Sequence, residues 1–152
     1  MPAGPGARGF IDAFQHIDAE LQDAARTDPN ALKDDRHLES LLRKLSKSLH
    51  VGAANDCWFR DPAKALCLRL AGTPDAKRPL IGRCDSARCP QATHHASHRP
   101  MWAEQVKTID VFLSSPRVAK GEKQRLVPEH DRALRVLTEL DSADQTARSE
   151  RT

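Results

Sequence analysis

The sequence has no tyrosine and few aromatic residues of any kind, two Trp and four Phe among 152 residues. Its core must therefore come mostly from Leu, Val, Ile and Ala. There is no apolar run of about 18 residues, which excludes a transmembrane helix. The opening Met-Pro-Ala-Gly-Pro-Gly lacks the basic and then apolar pattern of a secretory signal. The expectation is a cytoplasmic protein that makes no membrane contact, in a compartment where disulfides are disfavoured. Net charge is also small: +3, with a pI near 8.8, permits contact with nucleic acid without requiring it. Catalytic zinc motifs are missing, since neither a His-Glu-x-x-His helix nor a His-x-Glu paired with Pro-Cys-x-x-Cys occurs. Although Asp85 or Glu104 offers a carboxylate for a hydrolytic metal, the reading is that the chain is not an enzyme.

What is present is a concentration of soft donors. Cys84-Asp-Ser-Ala-Arg-Cys-Pro-Gln-Ala-Thr-His-His-Ala-Ser-His98 holds two of four cysteines and three of seven histidines. Sulfur and imidazole at this density suit a tetrahedral Zn²⁺ site. Upstream lie Cys57 and Cys67, so four ligands can be chosen as all four cysteines, or as Cys67, Cys84 and Cys89 with His98 or His95. Arg83 and Arg88 would offset the negative charge of thiolates beside them. Hydrophobic content is 39%, and a bound zinc would reinforce so thin a core, adding on the order of 10 kcal/mol in finger-like peptides. The plainer alternative makes the cysteines small buried hydrophobes and the histidines a polar loop.

Helical periodicity frames this segment. Phe10, Phe14, Ile17 and Leu21 form one stripe, and Leu38, Leu41, Leu42, Leu45 and Leu49 a second, separated by the stop-and-restart signal Thr27-Asp28-Pro29. Gly52 is placed as a left-handed helix cap. Residues 62–70 read as one helical turn running into a short strand that presents Cys67. Gly72-Thr-Pro-Asp-Ala-Lys-Arg-Pro reads as a surface loop. Pro100 opens a helix with Trp102, Val106, Ile109 and Phe112 or Leu113 on one side. Leu126, His130, Ala133, Leu137 and Leu140 follow as a heptad-like seam, with a kink or restart expected at Pro128.

The predicted fold is mainly α, with helical hairpins flanking a small irregular zinc-knuckle-like segment. Its parts are a disordered lead-in over 1–8, an N-terminal helical hairpin over 9–50, the Cys/His metal-binding segment over 51–99, a C-terminal helical hairpin over 100–140 and a disordered tail over 141–152. Candidate contacts to DNA phosphates are Arg36, Arg43, Lys44, Lys47, Arg69, Arg83, Arg88 and Arg99. The seam over 126–140 is the candidate surface for a partner helix or a homodimer.

The run Cys57-Trp-Phe-Arg-Asp-Pro-Ala-Lys-Ala-Leu-Cys67, with Cys84, Cys89 and His98 after it, resembles a Cys/His-containing segment of integrase-like proteins from actinobacterial mobile elements. The similarity spans about residues 55–102. It implies a role in DNA recombination, or an accessory role in a mobile element, with the knuckle stabilising the protein or touching DNA. Tyrosine recombinases use a Tyr nucleophile, and this chain has none. The resemblance therefore implies a DNA-associated accessory module or terminal fragment that lacks its own catalytic tyrosine. The alternative is a helical protein-interaction module held together by a structural zinc.

Overall fold

The computed structural model describes residues 1–27 and 35–149. In chain order the elements are α1 (Ala7–Thr27), α2 (Asp35–Ser46), β1 (Leu49–Val51), β2 (Asp56–Trp58), α3 (Leu66–Ala71), β3 (Ala92–Thr93), α4 (Arg99–Ser114) and α5 (Lys120–Ser149). The architecture is mainly α, with the three strands forming one small antiparallel sheet in the order β1-β2-β3. Leu49 faces Trp58 and His50 faces Cys57, while Cys57 also faces Ala92 across the β2-β3 ladder. β2 is thus the central strand. The N-terminal hairpin's turn and the side chains of Arg36, Leu38, Leu41 and Leu45 lie outside the described residues.

The principal core joins the C-terminal helices to the N-terminus. Trp102 of α4 packs with Ala133, Val136 and Leu140 of α5, and Ala3 is buried among them. The seam read over 126–140 is therefore used inside the chain, against α4. Helix α5 runs through Pro128 without the expected restart. A proline costs a helix one N–H and a clash with the preceding turn, but burial of Ala133, Val136 and Leu140 against α4 anchors the helix on the C-terminal side of the defect. The helix also extends to Ser149, past the point where the tail was expected to lose structure.

Residues 1–8, expected as a structureless lead-in, act instead as a strap along the sheet. The Ala3 N–H donates to His94 O and the His94 N–H returns a bond to Ala3 O, at 2.8 and 2.9 Å, and the Gly6 N–H donates to Ala92 O at 2.8 Å. Composition rich in Pro and Gly suggested disorder. The backbone ladder supplies the order that side chains do not. Gly4 has φ +88° and lies against the His94 ring, where a side chain would collide.

Two further readings change around the cysteines. Cys67 sits on α3, not on a strand, because Leu66, Cys67 and Leu68 are all buried there. The left-handed cap belongs to Gly72, at φ 69°, whose N–H bonds Arg69 O and Leu68 O. Gly52 instead occupies the β1–β2 turn and has no positive φ. Leu68 is fully buried with Phe59, Ala65 and Cys67, backed by Ala76 and Leu80 from the following loop. This second small core, together with Leu66, Cys89 and Ala92, supports the cysteine segment separately from α4 and α5.

Candidate functional site

The four cysteines arrive from four local structures. Cys57 stands on β2 and Cys67 on α3. Cys84 follows a single 3₁₀ turn over Ile81–Arg83, its N–H bonded to Ile81 O at 3.1 Å. Cys89 closes a turn in which its own N–H donates to Asp85 O at 3.0 Å. All four are free thiols and all four line one cavity of about 290 Å³. Cys67 and Cys89 are buried, Cys57 is half-buried and Cys84 is exposed.

Electrostatics report the same convergence. Burial first, and then the neighbouring Cys89, Cys84 and Cys67, push the Cys57 thiol up to about 12. Cys84 is raised to about 11, again first by burial and then by Cys89 and Cys67, while its hydrogen bond to Asn55 Oδ1 opposes the shift. Each thiolate would therefore repel the others in a desolvated setting. A divalent cation inverts this logic, since a coordinating thiol gives up its proton to the metal's field. Among the described residues no group of three or more His, Cys, Asp or Glu has a metal-holding arrangement. The sulfurs border a shared space without meeting at one point.

The imidazoles are organised on the other side of β2. Successive strand residues point to opposite faces, so Asp56 turns away from the cavity that Cys57 lines. Its carboxylate lies 3.4 Å from His98 Nε2 and 3.5 Å from His95 Nε2. The His95 N–H donates to His98 Nδ1 at 2.9 Å, which assigns the His98 proton to Nε2, facing Asp56. In that tautomer neither nitrogen of neutral His98 has a lone pair free for a metal. The structure thus brings Cys57, Cys67, Cys84 and Cys89 together and sets His95 and His98 around Asp56, at the start of α4. His94 is fully buried, edge-on to Trp102 at 5.5 Å, with Nε2 3.1 Å from Ser86 Oγ.

Some organising residues gave no signal in the sequence reading. Gln91, buried between β3 and the cysteine turn, accepts the N–H groups of Arg60 and Asp61 at 2.8 Å each and donates to Asp61 O at 2.9 Å. It acts as a short piece of strand made from a side chain. A lone glutamine carries no motif that would reveal this. Trp102 Nε1 donates to Ala54 O at 2.7 Å, so α4 is fastened to the loop that forms one wall of the cysteine cavity.

The candidate cations divide into engaged and unengaged. Arg99 donates to both oxygens of Asp141, at 2.8 and 3.2 Å, and Arg88 pairs with Asp85 at 2.8 Å. Arg43, Lys44, Lys47, Arg69 and Arg83 are exposed. Among the described residues these five make no ion pair. No helix among the described residues is long and apolar enough to cross a membrane. Comparison with protein-family models, curated proteins and solved structures finds no match to the chain.

Proposed function

We propose that the chain is a zinc-stabilised, DNA-associated accessory module or terminal fragment of a mobile-element integrase system, with no catalytic role of its own. One observation carries the metal assignment: four cysteines spread over residues 57–89 line a single cavity as free thiols. Cys57, Cys67, Cys84 and Cys89 would hold the ion, which leaves His95 and His98 to Asp56. The chemistry of the set fits, since Zn²⁺ accepts four thiolates in structural sites. The ion would supply cohesion between two small hydrophobic clusters that share few apolar residues. A reducing compartment suits four free thiols.

The DNA association rests on the resemblance carried by Cys57 to Cys67, Cys84, Cys89 and His98, and on exposed cations near that segment. Mass spectrometry of protein purified without chelator tests the metal. About one equivalent of zinc is expected, falling sharply in Cys57→Ser or Cys67→Ser and staying unchanged in His95→Ala. Less than about a tenth of an equivalent would remove the assignment. Salt-dependent retention of duplex DNA tests the partner, and retention that ignores salt would remove it.

A further inference from the structure

The net charge is unevenly placed. Residues 60–88 contain seven of the 24 Lys and Arg and three of the 21 acids, a net +4 against +3 for the whole chain. The rest of the protein is therefore close to neutral. All seven of these cations, from Arg60 to Arg88, are exposed. Three are engaged: Lys64 contacts Asp61 at 3.6 Å, Arg88 pairs with Asp85, and Arg60 lies 4.4 Å over the Trp58 ring. Arg69, Lys77, Arg78 and Arg83 make no ion pair among the described residues.

The fold brings the backbones of these four onto one lobe. Arg69 is in the last turn of α3. The Thr73 N–H returns to Leu68 O at 3.0 Å, and Ala76 and Leu80, which flank Lys77 and Arg78, pack against the buried Leu68 cluster. Arg83 belongs to the 3₁₀ turn that delivers Cys84 to the cavity. From this arrangement we infer that the outer surface of the cysteine lobe, through Arg69, Lys77, Arg78 and Arg83, is the face that binds the phosphate backbone of duplex DNA. The inference rests on the DNA-associated reading above and changes its geography. Lys77 and Arg78 enter as contacts, while Arg43 and Lys44 at the end of α2, and Lys47 in the turn after it, become a solvated surface.

Three of the four residues are arginines, whose planar forks match phosphate oxygens in pairs. An anionic membrane would also attract them, but surface anchoring needs an apolar face to insert. α3 turns Leu66, Cys67 and Leu68 inward, which leaves Leu70 and Ile81 as the large apolar residues exposed over 60–88, with Val51 exposed beside Ile81 at the cavity, too few for an inserting helix face. Asp75 is the one acid here with no Lys or Arg partner among the described residues. A zinc held by four thiolates would add a formal charge of about −2, and the lobe would remain positive.

The test uses fluorescence anisotropy with a short mixed-sequence DNA duplex and the full chain. Four phosphate contacts predict a loss of about 100-fold in affinity between about 50 and 200 mM salt. The variant Arg69→Gln/Lys77→Gln/Arg78→Gln/Arg83→Gln should lower the salt slope by about 3 to 4 and weaken binding at least tenfold at low salt. Arg43→Gln/Lys44→Gln/Lys47→Gln should bind as wild type does. The charge-preserving Arg69→Lys/Arg78→Lys/Arg83→Lys should keep most of the salt slope, which separates lost charge from lost folding. Equal losses in the two glutamine variants, or loss confined to the α2 variant, would overturn this face while leaving DNA association intact. A wild type that ignores duplex DNA would remove the parent reading. Binding to phosphatidylserine vesicles with no DNA retention would assign the face to membranes and overturn the inference as well.

Discussion

Replacing Gly4 by alanine tests whether the N-terminal strap is part of the core. Gly4 has φ +88°, a conformation that costs an L-residue about 1–2 kcal/mol. A Cβ at this position would lie 2.4 Å from His94 Nδ1 and 3.1 Å from its Cε1. His94 is fully buried between Ser86 and Trp102, so the ring has little room to give, and forced overpacking costs about 1–3 kcal/mol. Release of the strap sets a ceiling. That would forfeit three backbone hydrogen bonds, each worth about 1 kcal/mol net, and the burial of the Ala3 methyl, worth about 1 kcal/mol. The expected destabilisation is therefore about 2–4 kcal/mol, read as a lower urea midpoint with an unchanged slope. Hydrogen exchange should show the Ala3 and His94 amides losing protection first. Gly9→Ala is the control: it lies in α1 with nothing within 4 Å of its new methyl, and should stabilise by about 0.5–1 kcal/mol. A Gly4→Ala midpoint within error of wild type, with Ala3 still protected, would refute the strap.

Further outcomes follow from the same packing. Gln91→Ala removes three hydrogen bonds and leaves the Asp61 N–H without its acceptor, while the Arg60 N–H keeps Trp58 O, so urea denaturation should register a loss of about 1–3 kcal/mol; a loss below about 0.5 kcal/mol would show that water replaces the side chain. Leu68→Ala, at a fully buried position, should cost about 2–5 kcal/mol by thermal or urea unfolding. Burial, followed by the nearby His98 and His95, lowers the His94 imidazole from 6.5 to about 4. The unfolded chain then takes up that proton near pH 6.5 while the folded one refuses it, so stability falls as pH drops from about 6.5 to 4, by at most about 3 kcal/mol. His94→Gln should flatten this part of the urea-midpoint profile, and an unchanged profile would assign it elsewhere. On the zinc reading, a chelator should lower the melting temperature of wild type and have little effect on Cys67→Ser.

The helices that frame the site could be read from periodicity, because their buried faces repeat every three or four residues. Trp102 and Val106 on α4 and Ala133, Leu137 and Leu140 on α5 meet in one core for that reason. Features that depend on backbone pairing could not be read this way. Ala3 is ordered by bonds to His94 O and N, ninety residues away, and its local composition argues for the opposite. Glycine showed a similar limit. Gly52 and Gly72 both follow apolar segments, yet only the second has the positive φ of a left-handed cap, because the chain after α2 continues into β1 instead of ending a buried helix.

The candidate site divides along the same line. Donor chemistry marked Cys57, Cys67, Cys84 and Cys89 from composition and spacing, but spacing alone left His95 and His98 as equal claimants. The strand alternation of β2 separates them, since it sends Cys57 into the sulfur-lined cavity and Asp56 to the imidazoles on the opposite face. Asp56 and Cys57 are neighbours on the central strand, so any movement of β2 that brings the sulfurs together also moves the carboxylate against His98 and the start of α4. Trp102 adds a second tie, from α4 to Ala54 on the cavity wall. Asp56 and Ala54 therefore tie the wall of the cysteine cavity to the start of α4, so the α4–α5 hairpin is seated on the sheet and its loop as well as on its own apolar stripes.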